Sequence, residues 1–442
     1  MKLTTKNDLF KCYHDIFKTI GCKNIKMNEE INQLMEDNKI ITEYSSNINQ
    51  ACYHSVIHYD NINLMLMYNQ NRKESYDYYV EKCKSNFLLY GIKSITIKMN
   101  QLPSILYQMQ YQEITEYEKL IEEIKNMYTF FNDSDDDIIE IQLLMLIKRN
   151  SKNIKIENTN TIYYADTKKK KIDVASLFYC DQSLEFTKQQ DLKKLLSSSF
   201  SENLKVFHEI KTFIQTMDDI TQQKIMLYSS MVLFLLGLRL NNDIDVYIHT
   251  IDTDSKTKIS DYFNSIENID YSIKGTQKWP THWDEWLDEW ANKCGACYFE
   301  EILGFQDYHY YFCGIKIISL DVDIQRRIAR ERPASYTDLI MINKQLGKNI
   351  TLPKIPSNNV RYLKLDQLKE DEKEKYRISN YEYDSEKREY KIETNVDKNK
   401  FVNTILNYLK HRYDTEMTQD EMNKLLKIKN ENKIKIKIKK NK

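Results

Sequence analysis

The chain has 442 residues, 65 basic and 65 acidic side chains, 41% hydrophobic and 29% charged residues, a length that suits about three domains. No apolar run approaches the roughly 20 residues needed to cross a bilayer, and MKLTTKNDLFKCYHDIF lacks the apolar region of a signal peptide, so the expectation is a cytoplasmic protein without a membrane partner. Eight glycines and five prolines, with no GxGxxG and no GxxxxGKS/T, argue against a Rossmann or P-loop enzyme.

The bias towards Lys, Asn, Ile and Tyr is what AT-rich coding gives, and the eight scattered cysteines fit reduced thiols. Residues 1–150 read as mixed α and β. Gly91-Ile-Lys-Ser-Ile-Thr-Ile-Lys98 alternates like a strand, and a Thr115/Glu118 capping box starts a helix with Tyr117, Leu120, Ile121, Ile124 and Tyr128 on one face. The acidic run Asn132–Asp137 lacks the glycine and terminal Glu of a calcium loop and reads as a solvated linker. Residues 161–164 and 172–174 are expected to pair as a hairpin around the basic tip Asp166–Lys171.

A second region, 151–350 with its core at about 200–345, gives stronger signals. Phe207, Ile210, Phe213, Ile214 and Met217 sit at helical spacing. Ile225–Tyr228 then leads through Ser229-Ser230 into the apolar stretch Met231–Leu236, closed by Gly237. Asp243-Ile-Asp-Val-Tyr-Ile248 alternates as a strand, and Gly314–Ile324 is predicted to do so over a longer span. Pro333 and a Ser335/Asp338 capping box start another helix. The third region, 351–442, opens on the Thr351–Pro356 linker. It continues through a charged hairpin (Tyr381 and Tyr383 against Tyr390 and Ile392) and a helix with Val402, Ile405, Leu406 and Leu409 on one face.

Asp243 and Asp245, two residues apart on a strand, share a face with Cα atoms about 6 to 7 Å apart, while Ile244 and Val246 face the core. Two carboxylates on one rigid face, joined by a third, suit Mg²⁺ or Mn²⁺ ions that neutralise a triphosphate and activate a hydroxyl. Asp321 and Asp323 share a face of the second predicted strand, and either completes the triad. The arginines that follow include Arg326 and Arg330, one helical turn apart, either a phosphate clamp or part of a solvated helix with Glu331 and Asp338 as partners. Lys316, on the apolar face of that strand, is expected to snorkel.

The stretch from Tyr228 to Ile248 resembles the signature of the polymerase β-type nucleotidyltransferase superfamily, in which a Gly-Gly or Gly-Ser turn opens a short helix ahead of a D-h-D strand. The spacing is similar to that of AbiEii-type toxin nucleotidyltransferases, with Leu236-Gly237-Leu238-Arg239 and Asp243-Ile-Asp245 in register with their L-G-x-R and D-I-D pieces. Ser229-Ser230 depart from the pattern at the turn. The resemblance implies an α+β fold, a mixed sheet flanked by helices, with additional N- and C-terminal α/β segments. It also implies an NTP substrate, Asp243 and Asp245 as metal ligands with Asp321 or Asp323, and nucleotide contacts from Ser229, Ser230, Arg239, Arg326 and Arg330. The flanking regions and the basic tail resemble the layout of template-independent RNA polymerases such as the poly(A) polymerases of large DNA viruses. A LicD or fukutin-like sugar phosphotransferase and a catalytically degenerate nucleotidyltransferase subunit are the alternatives.

Other features carry bland readings. The four tryptophans between Trp279 and Trp290 mark an amphipathic helix rather than a stacking platform. Cys294-Gly-Ala-Cys297 lacks the second pair of a zinc site, and His54 and His58 lack an H-E-x-x-H context. Residues 424–442 hold nine lysines against Glu431, an RNA-binding arm or a solubilising terminus. Gly91-Ile-Lys echoes Gly314-Ile-Lys.

Overall fold

A computed structural model describes residues 2–22, 40–110, 116–128, 138–149, 156–159, 161–241, 243–249, 251–267, 269–273, 291–292, 294, 296, 299–330, 332–356, 358–364, 378–384 and 389–428. The protein is α+β, with helices around three sheets, and its contacts divide it into two compact units, Met1–Asp323 and Ile324–Lys442. Among the described residues no helix is long and apolar enough to cross a membrane. The described cysteines are free thiols.

In the first unit, β1 (Ile62–Tyr68), β2 (Phe87–Lys98), β3 (Ile138–Lys148) and β4 (Ile162–Ala165) form a sheet in the order β2-β3-β1-β4, with every neighbouring pair antiparallel. All seven β1 residues are buried, as expected of an inner strand covered on both faces. The expected strand at Gly91–Lys98 is the second half of β2, and the expected helix spans Tyr117–Tyr128 with Leu120 fully buried. Its Thr115 cap, the acidic run at 132–137, the four tryptophans, Cys297 and the lysine tail beyond 428 lie outside the described residues.

The hairpin expected around Lys168–Lys171 is not formed. β4 ends at Ala165, and Lys168–Phe178 is a helix whose first turn is capped by Thr167, its hydroxyl accepting from the Lys170 amide at 3.3 Å. A threonine ahead of four good helix formers stabilises the helix, and those lysines contribute no strand branching to oppose it.

The second sheet of this unit comprises β5 (Ile225–Tyr228), β6 (Ile244–Ile248), β7 (Ile269–Ile273), β8 (His309–Phe312) and β9 (Ile315–Ile318), in the order β7-β6-β5-β9-β8. β5 runs antiparallel to β6 and parallel to β9, whereas β6 and β7 are parallel, so the sheet is mixed. Leu227, Val246, Ile248 and Ile317 are fully buried along its middle, as is every residue from Met231 to Leu236. Each such aliphatic side chain stabilises the fold by roughly 1.5 to 3 kcal/mol.

In the second unit, β10 (Asn358–Lys364), β11 (Ile378–Asp384) and β12 (Glu389–Asn395) form an antiparallel sheet in the order β10-β12-β11. The expected hairpin register is present, Tyr381 opposite Ile392 and Tyr383 opposite Tyr390. The helices Pro333–Leu346 and Lys398–Tyr413 share a core of Tyr336, Ile340, Met341, Val402, Ile405 and Leu409. Pro333, not a Ser335 cap, opens the first of these helices. Asp338 instead lies buried inside it, bonded to Arg327 and accepting from the Tyr413 hydroxyl at 2.8 Å. A carboxylate with those two donors one turn into a helix acts as a tie between elements, since a buried charge is tolerated only when paired.

Candidate active site

The connection between β5 and β6 is short and strained at a defined point. Ser229 has φ 66° and ψ −120°, a backbone region that glycine alone occupies without cost. Serine therefore stands in a glycine conformation at the position where the nucleotidyltransferase signature carries glycine, at a cost of about 1 to 3 kcal/mol. The helix Ser230–Leu235 starts immediately after it. It ends in a Schellman motif, the Gly237 amide bonding Phe234 O at 2.8 Å and the Leu238 amide bonding Leu233 O at 2.9 Å. Gly237 has φ 74°, and a Cβ there would meet Asp191 O at 2.6 Å, so the Leu-Gly-x-Arg turn requires its glycine.

This connection returns the chain to β6 with Asp245 directly opposite Tyr228, the last residue of β5. Asp243 precedes the strand and is exposed, Asp245 is half-buried, and Ile244 and Val246 are buried, as the alternation requires. The Ser230 hydroxyl donates to Asp243 O at 2.8 Å and lies 3.3 Å from Asp243 Oδ1. Ser230, expected at a triphosphate, thus holds the first carboxylate in place from the first turn of the helix.

The strand predicted to carry Asp321 and Asp323 does not reach them. β9 stops at Ile318, and Leu320–Arg330 is a helix. Ser319 makes the switch: its carbonyl accepts the Asp323 amide at 3.0 Å and its hydroxyl lies 3.4 Å from the Val322 amide. Two residues apart on a helix are rotated by about 200°, so Asp321 is exposed whereas Asp323 is fully buried and the two share no face. β9 also flanks β5 on the side away from β6. Arg326 and Arg330 are on a helix at the expected spacing, but Arg326 is 2% exposed and Arg330 half-buried, not an open clamp. Arg239 is buried, its Nη1 3.1 Å from Leu240 O, where it braces the turn before β6.

Another acid lies in register beside β6. β7 pairs with β6 in parallel, with Ile244 beside Ile269 and Asp245 beside Asp270. Neighbouring strands lie about 4.8 Å apart, so the backbones of Asp245 and Asp270 are adjacent. The signal was present in the sequence: Ile269-Asp270-Tyr271 repeats the apolar-Asp-apolar pattern of Ile244-Asp245-Val246, on a strand of five residues.

Lys316 does not snorkel. It is buried, and Nζ donates to Gln223 O at 2.7 Å and Leu303 O at 2.8 Å; burial lowers its pKa to about 7. His54 is also buried, its pKa pushed down to about 3 by burial and by Lys316. Among the described residues no three His, Cys, Asp or Glu side chains gather around a cation position. Carboxylate oxygens are the donors that hard divalent cations prefer, and the open position of Asp243 beside half-buried Asp245 fits that use.

Comparison with known proteins found no matching family model, no matching curated protein and no matching solved structure.

Proposed function

We propose that the protein is a metal-dependent nucleotidyltransferase that moves a nucleoside monophosphate from an NTP to a hydroxyl acceptor. The observation that carries this reading is the glycine-like turn at Ser229, which delivers Ser230 to Asp243 and sets Asp245 across from Tyr228. Strain of this kind persists where the surrounding structure holds it for a purpose.

Asp243 and Asp245 are the residues that would hold Mg²⁺ or Mn²⁺, and Asp270 occupies the register position beside Asp245. Bound there, such a cation supplies charge neutralisation for the triphosphate and a lowered pKa for the attacking hydroxyl. The chain's own groups position the reactants: Ser230 fixes the Asp243 carboxylate, and the helix Ser230–Leu235, sealed into the core, keeps the turn rigid. The acceptor proposed is an RNA 3′ hydroxyl, with protein and sugar hydroxyls as the alternatives that the assay separates.

The test incubates the protein with each labelled NTP, Mg²⁺ or Mn²⁺ and an RNA oligonucleotide. The expected result is label on RNA, reduced at least about 10³-fold in Asp243→Asn/Asp245→Asn, since several kcal/mol of charge stabilisation are lost at 1.36 kcal/mol per tenfold. Label on protein or sugar redirects the acceptor. No incorporation, together with no metal-dependent thermal shift, contradicts the proposal and leaves a binding subunit with a nucleotidyltransferase-like sheet.

A further inference from the structure

A small cavity in the first unit, with about 10 Å³ of room for the centre of a water-sized sphere, lies where the helix Asp219–Gln223 runs into β5 and meets the β8–β9 hairpin. Ile214, Ile225 and Ile315 line it together with Gln223, Tyr311 and Lys316. Gln223 and Lys316 are each only 4% exposed. Neither can turn to bulk solvent, so their polar atoms must find partners inside the protein.

Those partners are incomplete on both residues. An ammonium group carries three N–H donors and no acceptor. Lys316 directs two of them to Gln223 O at 2.7 Å and Leu303 O at 2.8 Å, and the third has no acceptor among the described residues. The Gln223 amide nitrogen lies 3.5 Å from the Tyr53 hydroxyl, while its Oε1 is buried with no partner among the described residues. The Tyr311 proton does not serve that oxygen. Burial holds the His309 pKa well below its usual value, so the ring is neutral, and Ile302 O at 3.1 Å places its one proton on Nδ1. Nε2 is left to accept from the Tyr311 hydroxyl at 3.3 Å. The cavity wall therefore keeps one spare donor and one spare acceptor, and a buried polar atom left unmade carries its full desolvation penalty.

We propose that this cavity is the binding site of one structural water molecule, which accepts from Lys316 Nζ and donates to Gln223 Oε1. The pair of groups selects the ligand. An anion would be drawn to the ammonium but would face the amide oxygen, a metal cation would face the ammonium, and an apolar guest would leave both groups unmade. Water offers a donor and an acceptor together, and the space matches about one solvent sphere. Seated there, it adds a second bond between the entry to β5 and β9, beside the direct one from Lys316 to Gln223 O. Ser229 is at the other end of β5, so the water site lies outside the candidate active site and its occupancy does not depend on nucleotidyl transfer.

Two measurements on the full chain test this. One is a crystal structure of bromide-soaked crystals at a resolution that shows ordered water. The other is water-oxygen magnetic relaxation dispersion in solution, which counts long-lived internal waters. The expected result is a density peak within about 2.7–3.2 Å of both Lys316 Nζ and Gln223 Oε1, with no anomalous bromide signal. Gln223→Leu keeps most of the volume but removes the acceptor. It should lose the peak and lower the dispersion amplitude by the share of a single water, and where that variant does not fold the peak in the unaltered chain decides alone. No peak at this position, a bromide peak there, or an unchanged dispersion amplitude in folded Gln223→Leu would each overturn the proposal.

Discussion

The two sheets of the first unit handle polar groups in opposite ways. In the β1–β4 sheet two polar side chains are tied to neighbours: Ser94 donates to Gln142 at 2.9 Å, and Lys93 reaches Phe178 O at 2.8 Å and Asp181 at 3.2 Å. In the β5–β9 sheet the interior is equally apolar, but Asp243 stands exposed beside a strained turn and Asp245 stays half-buried with Asp270 in the adjacent register. The first sheet ties Lys93 and Ser94 to protein partners, and the second leaves Asp243 where solvent and ligands reach it. The contrast extends to the repeated Gly-Ile-Lys strands. Lys93 ends against a carboxylate, whereas Lys316 ends against two carbonyls at a cost that burial registers as a pKa near 7.

Replacing the two lysines sharpens that contrast. Lys316→Met strands the carbonyls of Gln223 and Leu303 and should destabilise by about 4 kcal/mol, whereas Lys93→Met strands one carbonyl and a largely exposed carboxylate, costing about 2 kcal/mol. Urea unfolding of the two variants measures the difference. Equal losses would mean that the sheets treat their lysines alike.

The next effect is pH-dependent. His54 and His208 are held near pKa 3 by burial against an ordinary 6.5. Below pH 6.5 the unfolded chain takes up these protons and the folded chain does not, so stability falls as pH falls from 6.5 towards 3. Between pH 6.5 and 5 the two histidines together should remove about 3 kcal/mol, read as a falling urea midpoint. His208→Asn should remove about half of that slope, and a midpoint flat with pH would contradict the burial assigned to both.

The smallest effect tests the strained turn. Ser229→Gly should stabilise by about 1 kcal/mol by relieving the positive φ while leaving nucleotidyl transfer intact. A destabilised or inactive glycine variant would show that the serine hydroxyl, not the backbone conformation, is what the site uses.

The core of the five-stranded sheet was legible because its signals were local and agreed with one another. Ile225–Tyr228 before Ser229, the apolar Met231–Leu236, Gly237 and the alternation from Asp243 to Ile248 each have one reading, and each element is where that reading puts it. The stretch after Gly314 has two. Ile318, Leu320, Val322 and Ile324 continue a two-residue period, while Leu320, Ile324 and Ile328 fit a helix, and the choice turns on Ser319 as a cap. That one residue moved Asp321 and Asp323 out of the strand. Asp270 was missed because β7 is short: its apolar-Asp-apolar pattern gains weight only once β6 and β7 are seen in register. Thr167 likewise decided a helix over a hairpin at Lys168.

The central proposal is that Asp243 and Asp245 form the reactive centre, with Asp270 of β7 in the adjacent register and the acids after β9 outside it. Metal-dependent nucleotidyl transfer by Asp270→Asn and Asp321→Asn, each compared with the unaltered protein and checked for equal thermal unfolding, tests it directly. The account predicts that Asp270→Asn loses about 10³-fold or more while Asp321→Asn stays within a few-fold of the parent. Full activity in Asp270→Asn with activity lost in Asp321→Asn would contradict it.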